Sequence, residues 1–288
     1  MYRIILLSIV SILSSETTFG QDEPKGPEGR IYGGYRTDIQ DAAYMAQVYR
    51  VDGVPIPGKP VKAEQCGGSI LKPNLILTAG HCVKDFKTGH VYGPDQYFIY
   101  VGSSMKQGGD VHTVKNVHLH PKYQGPESHY FHDMALLELN EAISLDQNKA
   151  IVPIAQASDK TNPGEDVFVS GWGFNPDHPS DNRLYQVHLT VKSAKACKDK
   201  VGGGTVKEIE EHNICAGGKN KAHCQGDSGG PLIDSLTKRQ VGIVSWGTRN
   251  CTNSLPRYYT KVTDNLDFIE SVISTANEMD DANSMCDD

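Results

Sequence analysis

An all-β fold is what this chain of 288 residues predicts. Short apolar stretches recur along most of its length, each bounded by Gly, Pro, Asn, Asp or Ser. Such runs read as strands, and many of them in succession read as a sandwich or barrel. Helical periodicity is confined to one stretch near the C-terminus. With 38% hydrophobic and 22% charged residues the composition is that of an ordinary globular protein. The length allows a sizeable core, as one large domain or two small ones.

Residues 1–20 read as a signal peptide. Arg3 supplies the positive start, Ile4 to Leu13 a short apolar run, and Thr18-Phe19-Gly20 a small-residue cleavage site. The apolar run is about half of the ~20 residues a bilayer span requires, so secretion is expected rather than a membrane anchor. Seven cysteines in a secreted chain imply disulfides with one thiol left over, and spacing alone does not fix the pairing. Residues 21–30 are polar and rich in Pro and Gly, an exposed leader ending at Arg30 before Ile31-Tyr32-Gly33-Gly34. A basic residue followed by an aliphatic one at the end of such a leader is where a tryptic nick falls.

Strands are expected at 43–49 and 69–78. Between them Val51 to Glu64, with Gly53, Pro55, Pro57, Gly58 and Pro60, reads as a long exposed loop, a tolerated surface insertion. Further strands are expected at 97–101 and 111–119, and an apolar strand headed by Asp133 runs to Leu139. The polar, turn-rich stretch 140–164 divides the chain into halves, 31–150 and 151–288. In the second half 167–169, 184–191, 231–233, 240–245 and 258–262 read as strands. Only the end reads as helix: Asp264 is placed to cap it, and its apolar face is Leu266, Ile269, Val272 and Ile273. The acidic tail beyond Thr275 is expected to fray, with Cys286 near its end.

The chemistry centres on Cys224-Gln225-Gly226-Asp227-Ser228-Gly229-Gly230-Pro231. A serine among glycines suits a nucleophile on a tight turn, where the Gly226 and Ser228 amides can receive a developing oxyanion. A serine hydroxyl needs a base, and the base needs an orienting acid. His81, at a strand end beside Cys82, fits the first requirement. Asp133 fits the second, because an acid at the head of an apolar strand must be paired or hydrogen-bonded. His118, His120, His129 and His132 form a loose group without any metal-site spacing, and are expected to be solvated loop histidines. The net charge of −7 and the lack of a basic run argue against nucleic acid as a partner. Asn250-Cys251-Thr252 is a glycosylation sequon, used or unused.

With Thr78-Ala79-Gly80-His81-Cys82, Asp133-Met134-Ala135-Leu136-Leu137 and Gly226-Asp227-Ser228-Gly229-Gly230-Pro231 in that order, the chain resembles the chymotrypsin, or trypsin-like, family of secreted serine endopeptidases. Cys66-Gly67-Gly68-Ser69, Gly171-Trp172-Gly173 and Ser245-Trp246-Gly247 strengthen the likeness, which runs from Ile31 to about Ile273. The resemblance implies two six-stranded antiparallel β-barrels with a C-terminal helix and the site in the cleft between them. It implies Ser228 as nucleophile, His81 as proton carrier, Asp133 as its orienting acid, and the Gly226 and Ser228 amides as oxyanion hole. Ser245-Trp246-Gly247 would pair with the substrate backbone. The implied disulfides are Cys66–Cys82, Cys197–Cys215 and Cys224–Cys251, which leaves Cys286 odd. Cleavage after Arg30 would free the Ile31 ammonium to pair with Asp227, so the chain is expected to be a zymogen.

Tryptic members of the family carry an aspartate at the pocket floor, where this chain has Ala222 followed by His223. Across the pocket, where a glycine is usual, stands Arg257, as in granzymes that cleave after aspartate. The expectation is an acidic P1 preference. The alternatives are an apolar, chymotrypsin-like slot with Arg257 turned to solvent, or a pocket plugged by it. The implied partners are protein and peptide substrates, an upstream tryptic activating protease and protein inhibitors, with no cofactor or metal, no membrane and a monomeric state. A non-catalytic homologue acting as a binding or cofactor protein is the other class of reading.

Overall fold

The computed structural model describes residues 31–52, 62–176, 178–248 and 250–284. In the first half β2 (Met45–Asp52), β3 (Lys62–Lys72), β4 (Leu75–Thr78), β5 (Tyr97–Val101), β6 (Asp110–Leu119) and β7 (Ala135–Leu139) close into a barrel in the order β2-β3-β4-β7-β6-β5. Closure comes from β5 pairing back onto β2, with Ile99 opposite Val48. Period-two alternation decides the faces: Tyr97, Ile99 and Val101 point into the core while Phe98 is exposed. Ala46, Val48, Ile70, Ile76, Val114 and Leu137 fill the rest of that interior.

The second barrel uses β8 (Asp166–Gly171), β9 (Tyr185–Val191), β10 (Asn213–Gly217), β11 (Pro231–Asp234), β12 (Gln240–Trp246) and β13 (Arg257–Lys261). The ring is β8-β9-β10-β13-β12-β11, closed by β11 on β8, and the short β1 (Tyr35–Arg36) adds to the edge of β9. Val167, Val169, Val187, Leu189, Ile214, Leu232 and Val244 form its core together with Ile31, which is fully buried. The fold is therefore two closed six-stranded antiparallel barrels with a C-terminal helix.

Several expectations change. The strand expected at 69–78 is two strands, β3 and β4, broken at Pro73 and Asn74, where proline has no amide for a ladder. The stretch 51–64 is partly hairpin, because Asp52 pairs with Lys62 and Arg50 with Glu64. Its middle, 53–61, lies outside the described residues.

Helix is not confined to the end. Helix α1 (Ala194–Val201) starts at Ser193, whose hydroxyl accepts from the Ala196 amide, and α2 (Val206–His212) starts at a Thr205/Glu208 capping box. Those caps were legible in the sequence but brief. Strand β10, also unforeseen, follows α2 directly. Helix α3 runs Leu266–Ser284, further than the frayed tail expected, and Cys286 lies outside the described residues. Asp264 does not cap α3. It belongs to a 3-10 turn, Val262–Asn265, and its carboxylate accepts from His212 Nδ1 at 2.8 Å. The apolar face of α3 is as expected: Ile269 and Val272 are buried and Leu266 and Ile273 pack beside them.

Candidate active site

His81 stands in a 3-10 turn, Gly80–Cys82, that directly follows β4. A disulfide from Cys82 to Cys66 on β3 ties that turn to the barrel. Asp133 lies two residues before β7, after His129, Tyr130 and His132, which all have positive φ. That tight loop turns the carboxylate inward, and Asp133 is fully buried. A buried carboxylate must be satisfied. Its Oδ1 accepts the His81 amide at 2.7 Å, while Oδ2 meets His81 Nδ1 at 2.7 Å and the Ser245 hydroxyl at 2.5 Å. Burial of the His81 ring disfavours its cation. The charge and hydrogen bond of Asp133, with a smaller share from Glu64, outweigh burial and hold the ring above its usual 6.5.

Ser228 lies in the turn ahead of β11. Gly226 and Gly229 on either side have φ of +94° and +82°, a region that disfavours any side chain. A Cβ on Gly229 would meet Thr78 Oγ1 at 2.3 Å and the Gly67 carbonyl at 2.5 Å, so the turn is wedged against the first barrel. The Ser228 carbonyl accepts from Gly67 N at 2.7 Å. Among the described residues the amides of Gly226 and Ser228 donate to no backbone carbonyl. Asp227, almost fully buried, accepts the Gly173 and Cys224 amides at 2.8 Å each. Arg30 lies outside the described residues.

His81 and Ser228 border two hollows. One, of about 150 Å³, is walled by Arg50, Glu64, Gln65 and the Cys66–Cys82 disulfide. The other, of about 220 Å³, is walled by His223, Gln225, Trp246, Gly247, Thr248 and Arg257. A larger hollow, about 580 Å³ beside Ser193 and Glu211, is away from both residues. The Cys224–Cys251 disulfide braces the second hollow, and Cys197–Cys215 ties α1 to β10. Trp246 lies flat on Tyr258, ring centroids 4.4 Å apart, at the end of β12.

Arg257 begins β13 and is 2% exposed, so it is not turned to solvent. One terminal nitrogen donates to the Thr248 carbonyl and hydroxyl at 2.8 Å each, and the other to the Asn250 carbonyl at 2.9 Å. Its Nε is buried without a partner, and among the described residues no carboxylate pairs with it. Its side chain crosses beneath Gly247, where a Cβ would meet Arg257 Nη1 at 3.0 Å. His223, 7% exposed, packs edge-on against Tyr259 at 5.3 Å. Burial first, then the Arg257 charge, holds its ring well below 6.5, so it is neutral. Ala222 does not line the cleft: it is buried against Tyr32, whose carbonyl takes its amide at 3.0 Å. Its neighbour His223 and Arg257 do line the hollow of about 220 Å³. Asn250 is exposed, and its Oδ1 is occupied by the Thr252 amide and hydroxyl.

Residues 31–269 match the family model described as Trypsin. Trypsin 5G1 of Aedes aegypti is 32% identical over 252 residues, 85% of each chain. The chain belongs to the trypsin family of serine endopeptidases. Trypsin zeta of Drosophila melanogaster is 33% identical over 261 residues, covering 88% of this chain and 89% of that one. The solved structure of HL collagenase superposes with a TM-score of 0.69 at 25% identity, over 85% of this chain and 99% of that one. Among the described residues of this trypsin-family chain, no helix is long and apolar enough to cross a membrane.

Three site features escaped the sequence reading. The Ser245 side chain goes to Asp133, whereas the sequence points only to its backbone, and no spacing links the two residues. The acceptors for Arg257 are mostly carbonyls of the 248–250 loop, and carbonyls carry no sequence signal. Of the four histidines expected to be solvated, His129 is exposed and the other three are not. His120 is buried and stacks on His132 with centroids 4.7 Å apart, and His118 Nε2 meets Glu138 at 3.2 Å.

Proposed function

We propose that this endopeptidase is secreted after loss of residues 1–20, stored as a zymogen, and active through Ser228, His81 and Asp133. The supporting observation is the buried Asp133 carboxylate, which spends both oxygens on His81 and on Ser245. That arrangement fixes the imidazole with Nδ1 toward the acid, leaving Nε2 to take the Ser228 proton as the hydroxyl attacks a scissile carbonyl. The oxyanion then meets the amides of Gly226 and Ser228. The proton on His81 passes to the leaving amine, and water repeats the sequence on the acyl-enzyme.

Cleavage after Arg30 by an upstream tryptic protease supplies an Ile31 ammonium. Asp227 is its proposed partner, since it is a buried carboxylate beside the Ser228 turn, and once the pair has formed the loss of either charge would cost about 3–5 kcal/mol. The pocket reading is an acidic P1 residue, supported by the buried guanidinium of Arg257, which has no carboxylate partner among the described residues. The wall bonds that hold Arg257 in place are equally compatible with a plugged pocket, which is the second reading.

The test of activity and activation is labelling with a fluorophosphonate probe. Protein cut at Arg30 should label at Ser228, and uncut Arg30→Gln should label slowly and hydrolyse peptides poorly. Equal labelling of both forms would remove the zymogen, and absence of labelling in the cut form would leave a non-catalytic homologue.

A further inference from the structure

His132, His212 and Asp264 each offer one donor atom, and the three atoms lie within 4.8 Å of one another. We propose that they form a binding site for a borderline divalent transition ion, Zn²⁺ being the probe of choice, that clips the two barrels together. Asp264 Oδ2 is 2.8 Å from His212 Nδ1 and 3.6 Å from His132 Nδ1. Donors on two corners of a tetrahedron, each about 2.0–2.1 Å from the ion, are roughly 3.3 Å apart, so the two separations bracket the required edge. Asn265 Oδ1, 2.8 Å from His132 Nδ1, is a fourth donor atom at the same spot.

Two imidazoles and a carboxylate choose the ion. Hard cations such as Ca²⁺ and Mg²⁺ want a shell of oxygens, whereas imidazole nitrogen with one carboxylate suits Zn²⁺ and its neighbours. Each ring would ligate through an unprotonated Nδ1 with its proton on Nε2, so the ion replaces the hydrogen bonds to Asp264 and Asn265. The rings are already oriented by packing. His132 lies parallel to His120 at 4.7 Å, and His212 packs on Phe131 at 4.7 Å. Asn265, 1% exposed, is itself fixed by donating to the Lys261 carbonyl at 2.7 Å. The three ligand side chains are 13%, 19% and 20% exposed, which leaves the ion a way in from solvent.

The elements give the site its effect. His132 comes from the β6–β7 connection of the first barrel, whereas His212 ends α2 and Asp264 precedes α3, both in the second half. An ion there ties one barrel to the other on the loop whose next residue is Asp133. That loop carries positive φ at His129, Tyr130 and His132. Binding to the folded state alone, at 100 times Kd, should raise Tm by roughly 5–10 °C for a chain of this size.

The experiment adds ZnSO₄ or CoCl₂ to the cleaved, chelator-treated protein and reads stoichiometry by calorimetry, Tm by scanning, and the visible spectrum of Co²⁺. The expected result is one ion per chain, the rise in Tm, and an intense tetrahedral Co²⁺ spectrum. Asp264→Asn and His212→Gln should each weaken binding at least by the roughly 10–100-fold that loss of an outer-shell partner costs. His81→Ala should keep the ion. Loss of binding in His81→Ala, unchanged binding in both ligand variants, or a weak six-coordinate Co²⁺ spectrum would overturn the site. The wild-type spectrum decides the matter even if a variant fails to fold.

Discussion

Asp133→Asn is expected to lower kcat by about 10⁴-fold, the size of the matching change in trypsin-family enzymes. The geometry gives the reason. An amide in place of the carboxylate can present its nitrogen to His81 Nδ1, which then becomes the acceptor. The imidazole proton moves to Nε2, where the Ser228 proton has to arrive. The His81 amide, which donates to Oδ1 at 2.7 Å, keeps the Asn oxygen on that side and its nitrogen toward Nδ1, where the Ser245 hydroxyl can turn to accept. Ser245→Ala removes one bond to the carboxylate and leaves its charge, so it should be milder.

The pH dependence provides an independent reading of the same variant. A general base works in its neutral form, so activity falls as pH drops through the pKa of His81. In the wild type burial lowers that pKa and Asp133 raises it by more, placing the acid limb above 6.5. Removing the charge leaves burial in control, and the acid limb should move below 6.5 even as the plateau collapses. The measurement is kcat/KM from acid to neutral pH on both proteins. A variant with more than about a tenth of wild-type kcat, or with an unmoved acid limb, would separate Asp133 from His81 in function.

How much of this was legible in the sequence depends on the range of the interaction. Strands β5 and β6 appear almost where alternation puts them, because period-two burial is a local property of the chain. His81, Asp133 and Ser228 were found by motif. Their meeting is made by topology: β4 pairs with β7, and the Gly229 turn wedges against Gly67 and Thr78. The missed features have a common cause. Helix α2 and strand β10 are short enough that tertiary contacts, and not period, hold them. Asp264 read as a helix cap because capping is the commonest local use of such an acid. Its partner, His212, is invisible to any local rule. Burial of the histidines near β6 and β7 likewise depends on Phe268 and Asn265 arriving from α3 and the turn before it.

Arg257→Gly should change which peptide bond is cut. In the wild type a guanidinium 2% exposed lies at the base of the cleft, its terminal nitrogens on Thr248 and Asn250 and its Nε without a partner. Burial lowers its pKa, yet a guanidinium stays cationic in any protein. Neutral His223 beside it supplies no counter-charge. A P1 carboxylate does, and hydrogen bonds to a charged partner add about 1.5–3 kcal/mol, or roughly 10–150-fold in kcat/KM. The wild type should therefore prefer Asp or Glu over Phe, Leu, Arg and Lys. In Arg257→Gly the acidic substrates should fall by about that factor, and Phe and Leu should rise as the space beneath Gly247 opens. If Arg257 plugs the pocket instead, the variant will speed cleavage after every residue, acids included. If the wild type prefers Arg or Lys, or the variant keeps its profile, Arg257 does not select P1. The same cation governs activation. A basic P1 side chain would be driven into a buried positive charge, so the cut enzyme should leave its own Arg30 intact, and purified zymogen should stay uncut until a tryptic protease is added.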